Sequence, residues 1–488
     1  MPGLLLGVDI GTSGSKGVLV GPEGEVIATA RRTHEVLRPR PGWVEQDAEK
    51  AWWREFCSIS AELCAGRRIE AVAVSGMGPC VLPASETGEP LRPAILYGVD
   101  TRATRQIREL RERYGPERVL ERCGSPLTTQ AVGPKLAWIR ENEPDVWART
   151  RRFFTCASFL VYHLTGAYAL DHHSASQSVP LYDSREHRWI EDWADEIAPG
   201  VELPRLLWPD EFAGEVTPEA AAESGIPAGT PVTVGTIDAW AESVSVGVRE
   251  PGDVMVMYGT TMFLLQVLGE RRTSPNLWGT VGIDPGTYNF GAGMATSGAI
   301  TNWLHALTGA PYEELIAEAA RVPRGSEGLL MLPYFAGERA PLFDADARGT
   351  LIGLTLHHGR GHLYRATLEA TAFGVRHNLE TMREAGAREK RLMAVGGGTR
   401  GHLWPQIVTD VLQEPQTLPT VTQGASYGNA HLAARALGRA TRETCWNTPS
   451  REFHPDPEAA QVYDARYHLY RRLYESTKDI AHILAREE

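Results

Sequence analysis

Long apolar runs are missing from this chain. Its apolar opening is interrupted by Asp9, well short of a membrane span, and no charged leader with a cleavable apolar segment precedes it. No membrane partner is expected, and the reading is of a soluble, cytoplasmic protein. An excess of positive charge is missing too: 49 Lys and Arg against 61 Asp and Glu leave a net charge of -12. That balance repels nucleic acid and anionic surfaces, so a nucleic-acid partner is excluded. A phosphate compound bound here must be held by local backbone donors or by a metal. Cysteine is scarce. Cys57, Cys64, Cys80, Cys123, Cys156 and Cys445 form no CxxC pair and no framework spacing, which suits reduced, structural thiols. Two familiar nucleotide signatures are absent as well. Gly11-Thr12-Ser13-Gly14-Ser15-Lys16 has neither the Gly-Lys-Ser/Thr ending of a Walker loop nor GxGxxG spacing.

What is present is an alternation of strand and helix patterns along 488 residues, the mark of an α/β protein too long for one ordinary core. A hairpin-like opening over 4–20 precedes a strand near Val26–Ala30, a helical stretch near Ala48–Cys64 and an apolar strand Ile69–Ser75 ending at Gly76. The turn-rich stretch Gly247–Asp253 predicts a boundary between two domains, 1–246 and 247–488. Both halves open with the same device. Leu4–Ile10 runs into Gly11-Thr12-Ser13, and Val254–Tyr258 runs into Gly259-Thr260-Thr261, each followed by a second apolar run. Glycine permits close backbone approach, and the hydroxyls and turn N–H groups donate to phosphate oxygens. Either turn alone reads as an ordinary hairpin; the pair reads as a clamp on a polyphosphate.

Two carboxylates stand out. Asp9, at the end of an otherwise apolar strand, needs a partner, and hydrated Mg²⁺ or a turn-capping role would each supply one. Asp238 follows Gly235-Thr236-Ile237, where a helix is expected to begin; it reads as a helix cap, as a general base for phosphoryl transfer, or as both. Gly396, Gly397 and Gly398 end another short strand, and bare backbone there lets a flat base or a ribose lie close. His172, His173, His357, His358 and His362 are expected at the surface and not on a metal, since Gly359 and Gly361 break the helix that would align the last two. Trp240 is expected to wall a cleft.

Asp9-Ile10-Gly11-Thr12-Ser13, Pro134-Lys135-Leu136-Ala137-Trp138, Gly337-Glu338-Arg339-Ala340-Pro341 and the triple-glycine segment occur in an order that resembles the FGGY family of carbohydrate kinases. The resemblance implies two actin-like (ribonuclease-H-like) domains around a central ATP and sugar cleft. It makes Gly11, Thr12, Ser13 and Lys16 one phosphate loop, Gly259, Thr260 and Thr261 the other, and Gly396, Gly397 and Gly398 the adenosine loop. Asp238 matches the base, Asp9 the carboxylate that places Mg²⁺, and Met77, Gly78, Asp100, Arg102, Asp238 and Trp240 the sugar side. Members acting on xylulose usually have Gln-Met-His where this chain has Met77-Gly78-Pro79, and an aromatic residue two positions before the Asp, where it has Gly98 with Tyr97 displaced by one. The Gly337–Pro341 stretch and Asp346-Ala347-Arg348-Gly349 are shared with gluconate-like members. The expectation is ATP-dependent phosphorylation of a pentulose, D-xylulose to D-xylulose 5-phosphate first, with gluconate or another polyol behind it. An ATP-switch protein resembling actin or a heat-shock chaperone is the competing class. A chaperone is expected to carry a peptide-binding domain, which the sequence through residue 488 does not present, and a switch needs no base at Asp238. Both carboxylates also speak against a sugar-binding pseudokinase, and a homodimer is left open.

Overall fold

The computed structural model describes residues 3–487; residues 1, 2 and 488, the outer ends of the two expected domains, lie outside that range. The chain folds into two units. The first takes 1–249, 269–289 and 423–448, the second 250–268, 290–422 and 449–488. The expected contiguous second half therefore hands two of its segments to the first unit. Packing, not chain order, draws the division.

In the first unit the strands lie in the order Phe212–Glu215, Pro231–Thr233, Ile69–Gly76, Leu4–Ile10, Gly14–Val20, Val26–Thr33. Leu4–Ile10 is antiparallel to Gly14–Val20 and parallel to Ile69–Gly76, and the short strand Thr236–Ile237 also runs parallel to Ile69–Gly76. The central strands are apolar on both faces because both are covered. One face takes the segment 48–64, whose Trp52, Phe56 and Ile59 have no exposed surface. Each such side chain contributes roughly 1.5–3 kcal/mol. The other face takes helix Ala425–Ala436, which comes so close that a Cβ at Gly7 would stand 2.0 Å from the Ser426 carbonyl oxygen. A second apolar cluster, including Val119, Leu136 and Ile139, supports a helical region within residues 103–198.

The second unit repeats the arrangement. Its strands run in the order Tyr288–Met294, Met262–Leu268, Asp253–Tyr258, Arg391–Val395, Gln416–Pro419, Pro449–Phe453. Asp253–Tyr258 is antiparallel to Met262–Leu268 and parallel to Arg391–Val395. The long helices Arg360–Glu384 and Pro457–Ala485 belong to this unit. Among the described residues no helix is long and apolar enough to cross a membrane. All six cysteines are free, and only Cys445 is exposed.

Candidate active site

In an open α/β sheet, ligands gather beyond the carboxyl ends of the parallel strands. At that end of the first unit, sheet register sets Asp9 opposite Ser75 on one side and Lys16 on the other, and sets Thr236 opposite Ser75. Ser75 Oγ donates to Asp9 Oδ1 at 2.8 Å; Asn429 Nδ2 donates to Ser75 Oγ and to the Val8 carbonyl, both at 2.8 Å. Thr236 Oγ1 donates to buried Asp171 at 2.9 Å. Two residues after Thr236 the chain turns into helix Asp238–Ser245, and Asp238 Oδ1 accepts the Ala239 N–H at 2.7 Å. Glu242 follows one helical turn later on the same face.

Asp9, Asp238 and Glu242 are half-buried and feel one another's charge. Burial raises the Asp9 carboxyl, with Ser75 and Lys16 opposing. Burial, then the charge of Asp9, pushes Asp238 well above the usual carboxylate range. Burial also pushes Glu242 up to about 7, against the pull of Lys16. Three carboxylates and one exposed lysine make a site short of positive charge, and a bound cation would relieve it.

The turn beside Asp9 is fastened by its carbonyls. The Thr12 carbonyl accepts from Gln46 Nε2 at 2.7 Å, the Gly11 carbonyl lies 3.0 Å from His34 Nε2, and the Ser13 carbonyl accepts the His34 N–H at 3.3 Å. The Thr12 and Ser13 carbonyls are thus taken by donors of the first unit. Thr12 Oγ1 lies 2.9 Å from the Tyr97 hydroxyl, and Ser13 and Lys16 are exposed.

In the second unit the turn Gly259-Thr260-Thr261 joins Asp253–Tyr258 to Met262–Leu268, with Thr260 exposed. The start of helix Gly298–Thr308 clasps it: Gly298 N–H donates to the Gly259 carbonyl, and Ser297 and Ala299 N–H to the Thr260 carbonyl, each at 3.0 Å. Gly396, Gly397 and Gly398 follow strand Arg391–Val395. Gly396 has φ 95°, and a Cβ there would stand 2.5 Å from the Tyr258 carbonyl oxygen; at Gly398 it would meet the Trp404 ring at 2.7 Å. A Cβ at Gly397 would meet nothing within 4 Å. Packing thus accounts for two of the three glycines, and the third presents open backbone.

The N-terminal domain of the FGGY family of carbohydrate kinases matches residues 4–245, and the C-terminal domain of that family matches 254–437. The chain belongs to this family. It is 29% identical to a xylulose kinase of Staphylococcus epidermidis over 98% of this chain and 97% of that one. It is 33% identical to a glycerol kinase of Nocardia farcinica over 88% and 89%. The solved xylulose kinase of Rhodospirillum rubrum superposes with a TM-score of 0.89 at 33% identity, covering 98% of this chain and all of that one.

Not every residue expected to touch sugar in this FGGY chain is free to do so. Asp100 and Arg102 have no exposed side-chain surface. The Asp100 carboxylate accepts from Val44 N–H at 2.7 Å and from the Arg102 guanidinium at 2.7–3.0 Å. Arg102 also binds Glu45 at 2.7 Å and lies 4.1 Å over the Trp43 ring. The pair is a buried brace, because unpaired charges there would be costly. Trp240 is likewise interior: its ring stacks on His173 at 3.8 Å and its N–H donates to Asn289 at 3.0 Å. His173 is therefore buried and not at the surface; burial holds its pKa down at about 3, and Nδ1 lies 2.8 Å from the Val281 carbonyl. Met77 is buried with its N–H on the Ile10 carbonyl at 2.9 Å, whereas Gly78 is half-buried.

His357 and His362 do meet Glu327, at 3.0 and 3.2 Å, and His358 is half-buried beside them. His362 Nδ1 accepts the Gly359 N–H at 3.1 Å, which leaves its proton on Nε2, facing Glu327. That is a hydrogen-bonded cluster, and a metal would need the nitrogen that carries the proton.

Three residues near the site escape the sequence reading, Glu242, Gln130 and Asn429, and Ser75, at the start of a stretch expected to choose the sugar, is found holding Asp9. Gln130 accepts the Gly98 N–H at 2.9 Å and donates to the Gly78 carbonyl at 3.2 Å, tying together the two stretches expected to meet the sugar. Glu242 carries a readable signal, four residues after Asp238 on a helix. Asn429 carries none, since it reaches Ser75 from 354 positions away.

Proposed function

We propose that this carbohydrate kinase transfers the terminal phosphoryl group of ATP to a hydroxyl of D-xylulose, giving D-xylulose 5-phosphate, with Asp238 taking the hydroxyl proton. The observation that carries the reading is the juxtaposition of Asp238, at a helix start, with Asp9, fixed by Ser75, at the carboxyl ends of parallel strands. Phosphoryl transfer needs positioning and charge neutralisation above all, and one base for the attacking hydroxyl. To accept a proton Asp238 must be ionised, which positive charge beside Asp9 favours; Lys16 supplies part of it. Mg²⁺ fits the donor set, since it takes one or two carboxylates and keeps its waters. Asp9, with Glu242 nearby, would hold it. Bound there, it would neutralise charge on the phosphate oxygens.

On this reading the turn 11–13 with Lys16 and the turn 259–261 donate to phosphates, and the open backbone at Gly397 receives the adenosine. Gln130 fixes Gly78 and Gly98 beside the sugar. Likeness to proteins named xylulose kinase over nearly the whole chain supports the pentulose. A polyol such as glycerol is the second reading, favoured by the 33% identity to a glycerol kinase and by Pro79 standing where an imidazole is expected. ATP-dependent ADP release with D-xylulose, glycerol and gluconate tests both. A kcat/KM highest for D-xylulose supports the first reading, one highest for glycerol replaces it with the second, and no ADP release with any of them counts against the substrate class.

A further inference from the structure

The second unit contains a buried carboxylate with no part in the scheme above. Glu338 is 5% exposed. One of its oxygens, Oε1, accepts two backbone N–H groups, from Ala295 at 2.7 Å and from Arg339 at 2.8 Å. Ala295 directly follows strand Tyr288–Met294 and begins the short link to Ser297, Gly298 and Ala299, whose N–H groups hold the Gly259 and Thr260 carbonyls. One carboxylate oxygen thus anchors the first residue of the link that clasps the turn. Glu338 is itself fixed from behind. Its N–H and carbonyl exchange bonds of 2.7 and 2.9 Å with Asp344. The Asp344 carboxylate accepts from Tyr474 at 2.7 Å and lies 2.8 Å from His482 Nε2, both on helix Pro457–Ala485. Arg339 adds a 2.7 Å bond to the Met294 carbonyl, just ahead of Ala295.

We propose that Glu338 is a positioning residue for the turn Gly259-Thr260-Thr261: by holding the Ala295 N–H it sets the link that aims this turn at the nucleotide. The inference rests on the reading that the turn binds phosphate. What matters is an acceptor at the right reach, since Glu338 touches no substrate itself.

The test is steady-state kinetics of the full chain with MgATP and sugar varied separately. Leaving the Ala295 N–H without its acceptor corresponds to roughly tenfold. Glu338→Ala, and Glu338→Asp, whose shorter side chain falls short of Ala295, are expected to raise the KM for MgATP by about that factor while the sugar KM stays within about twofold. Glu338→Gln, which keeps an acceptor at the same reach, is expected to restore the parent KM. Should Glu338→Ala not fold, the Asp and Gln variants decide between themselves. Asp and Gln variants with equal MgATP KM, or with both substrate KM values raised alike, overturn the proposal. Thr260→Asp checks the underlying reading, because a negative charge on the turn opposes phosphate. If Thr260→Asp leaves the MgATP KM unchanged, the turn does not bind nucleotide. If it raises that KM while Glu338→Asp does not, the turn stands and Glu338 does not position it.

Discussion

Asp238→Asn is expected to move activity and stability in opposite directions. The amide oxygen can still accept the Ala239 N–H now held at 2.7 Å, so the start of helix Asp238–Ser245 keeps its bond. Proton acceptance is lost, and a positioned base contributes roughly 10²- to 10⁴-fold. That factor corresponds to about 2.7–5.5 kcal/mol of barrier. Stability changes the other way. Burial, and then the charge of Asp9, raise the Asp238 carboxyl above its ordinary range, so the folded state holds the proton more tightly than the unfolded chain does. Such a group contributes its full stability below the ordinary carboxyl pKa and loses it as pH rises through the raised value. Asparagine has no such loss, so the variant's advantage should widen with pH. ADP release at saturating sugar and MgATP, together with thermal melting of the metal-free protein across a pH series, reads both effects. Turnover within about tenfold of the parent would refute the base. A melting temperature below the parent's at alkaline pH would refute the electrostatic argument.

Ser75→Ala removes the hydroxyl that Asp9 accepts; a bond to a charged group contributes roughly 1.5–3 kcal/mol, so the Mg²⁺ concentration for half-maximal rate should rise about tenfold or more. An unchanged Mg²⁺ titration would remove Asp9 from the metal site. Gly398→Ala drives a Cβ into the Trp404 ring and should cost about 1–3 kcal/mol in chemical denaturation, whereas Gly397→Val should melt like the parent and raise the KM for ATP. Equal melting behaviour of the two, or an unaltered ATP KM in Gly397→Val, would contradict that division of labour. Asp171, buried beside Thr236, is pushed up to about 6 by burial, which corresponds to roughly 3 kcal/mol. Its contribution is complete below pH 3.8 and lost as pH rises through about 6, so Asp171→Asn should flatten the stability profile in that window; parallel profiles for parent and variant would show that Asp171 does not titrate there.

Sequence alone reveals those features that repeat at short range. The hairpin Leu4–Val20 and its counterpart at Asp253–Leu268 are visible because an apolar run, a Gly-Thr turn and a second apolar run are contiguous, and both form. Asp238 is visible because a strand end and a helix start lie within a few residues of it. Asp100 and Arg102 show the opposite case. The family resemblance puts both on the sugar side, yet their partners Val44 and Glu45 lie more than 50 positions away, and only the fold shows that the charges satisfy each other. His173 misleads in the same manner, since the Trp240 ring and the Val281 carbonyl that bury it come from distant segments.

Residues 423–448 belong to the first unit although they come near the end of the chain. During synthesis the sheet built on Leu4–Ile10 must therefore wait, one apolar face uncovered, until helix Ala425–Ala436 emerges and Asn429 reaches Val8 and Ser75. Contacts that span most of a chain fold slowly, and exposed intermediates invite chaperones. A gene fragment ending at residue 249 would not make a self-sufficient domain; it would make a receptor for peptides, and residues 269–289 and 423–448 are the two pieces that it lacks.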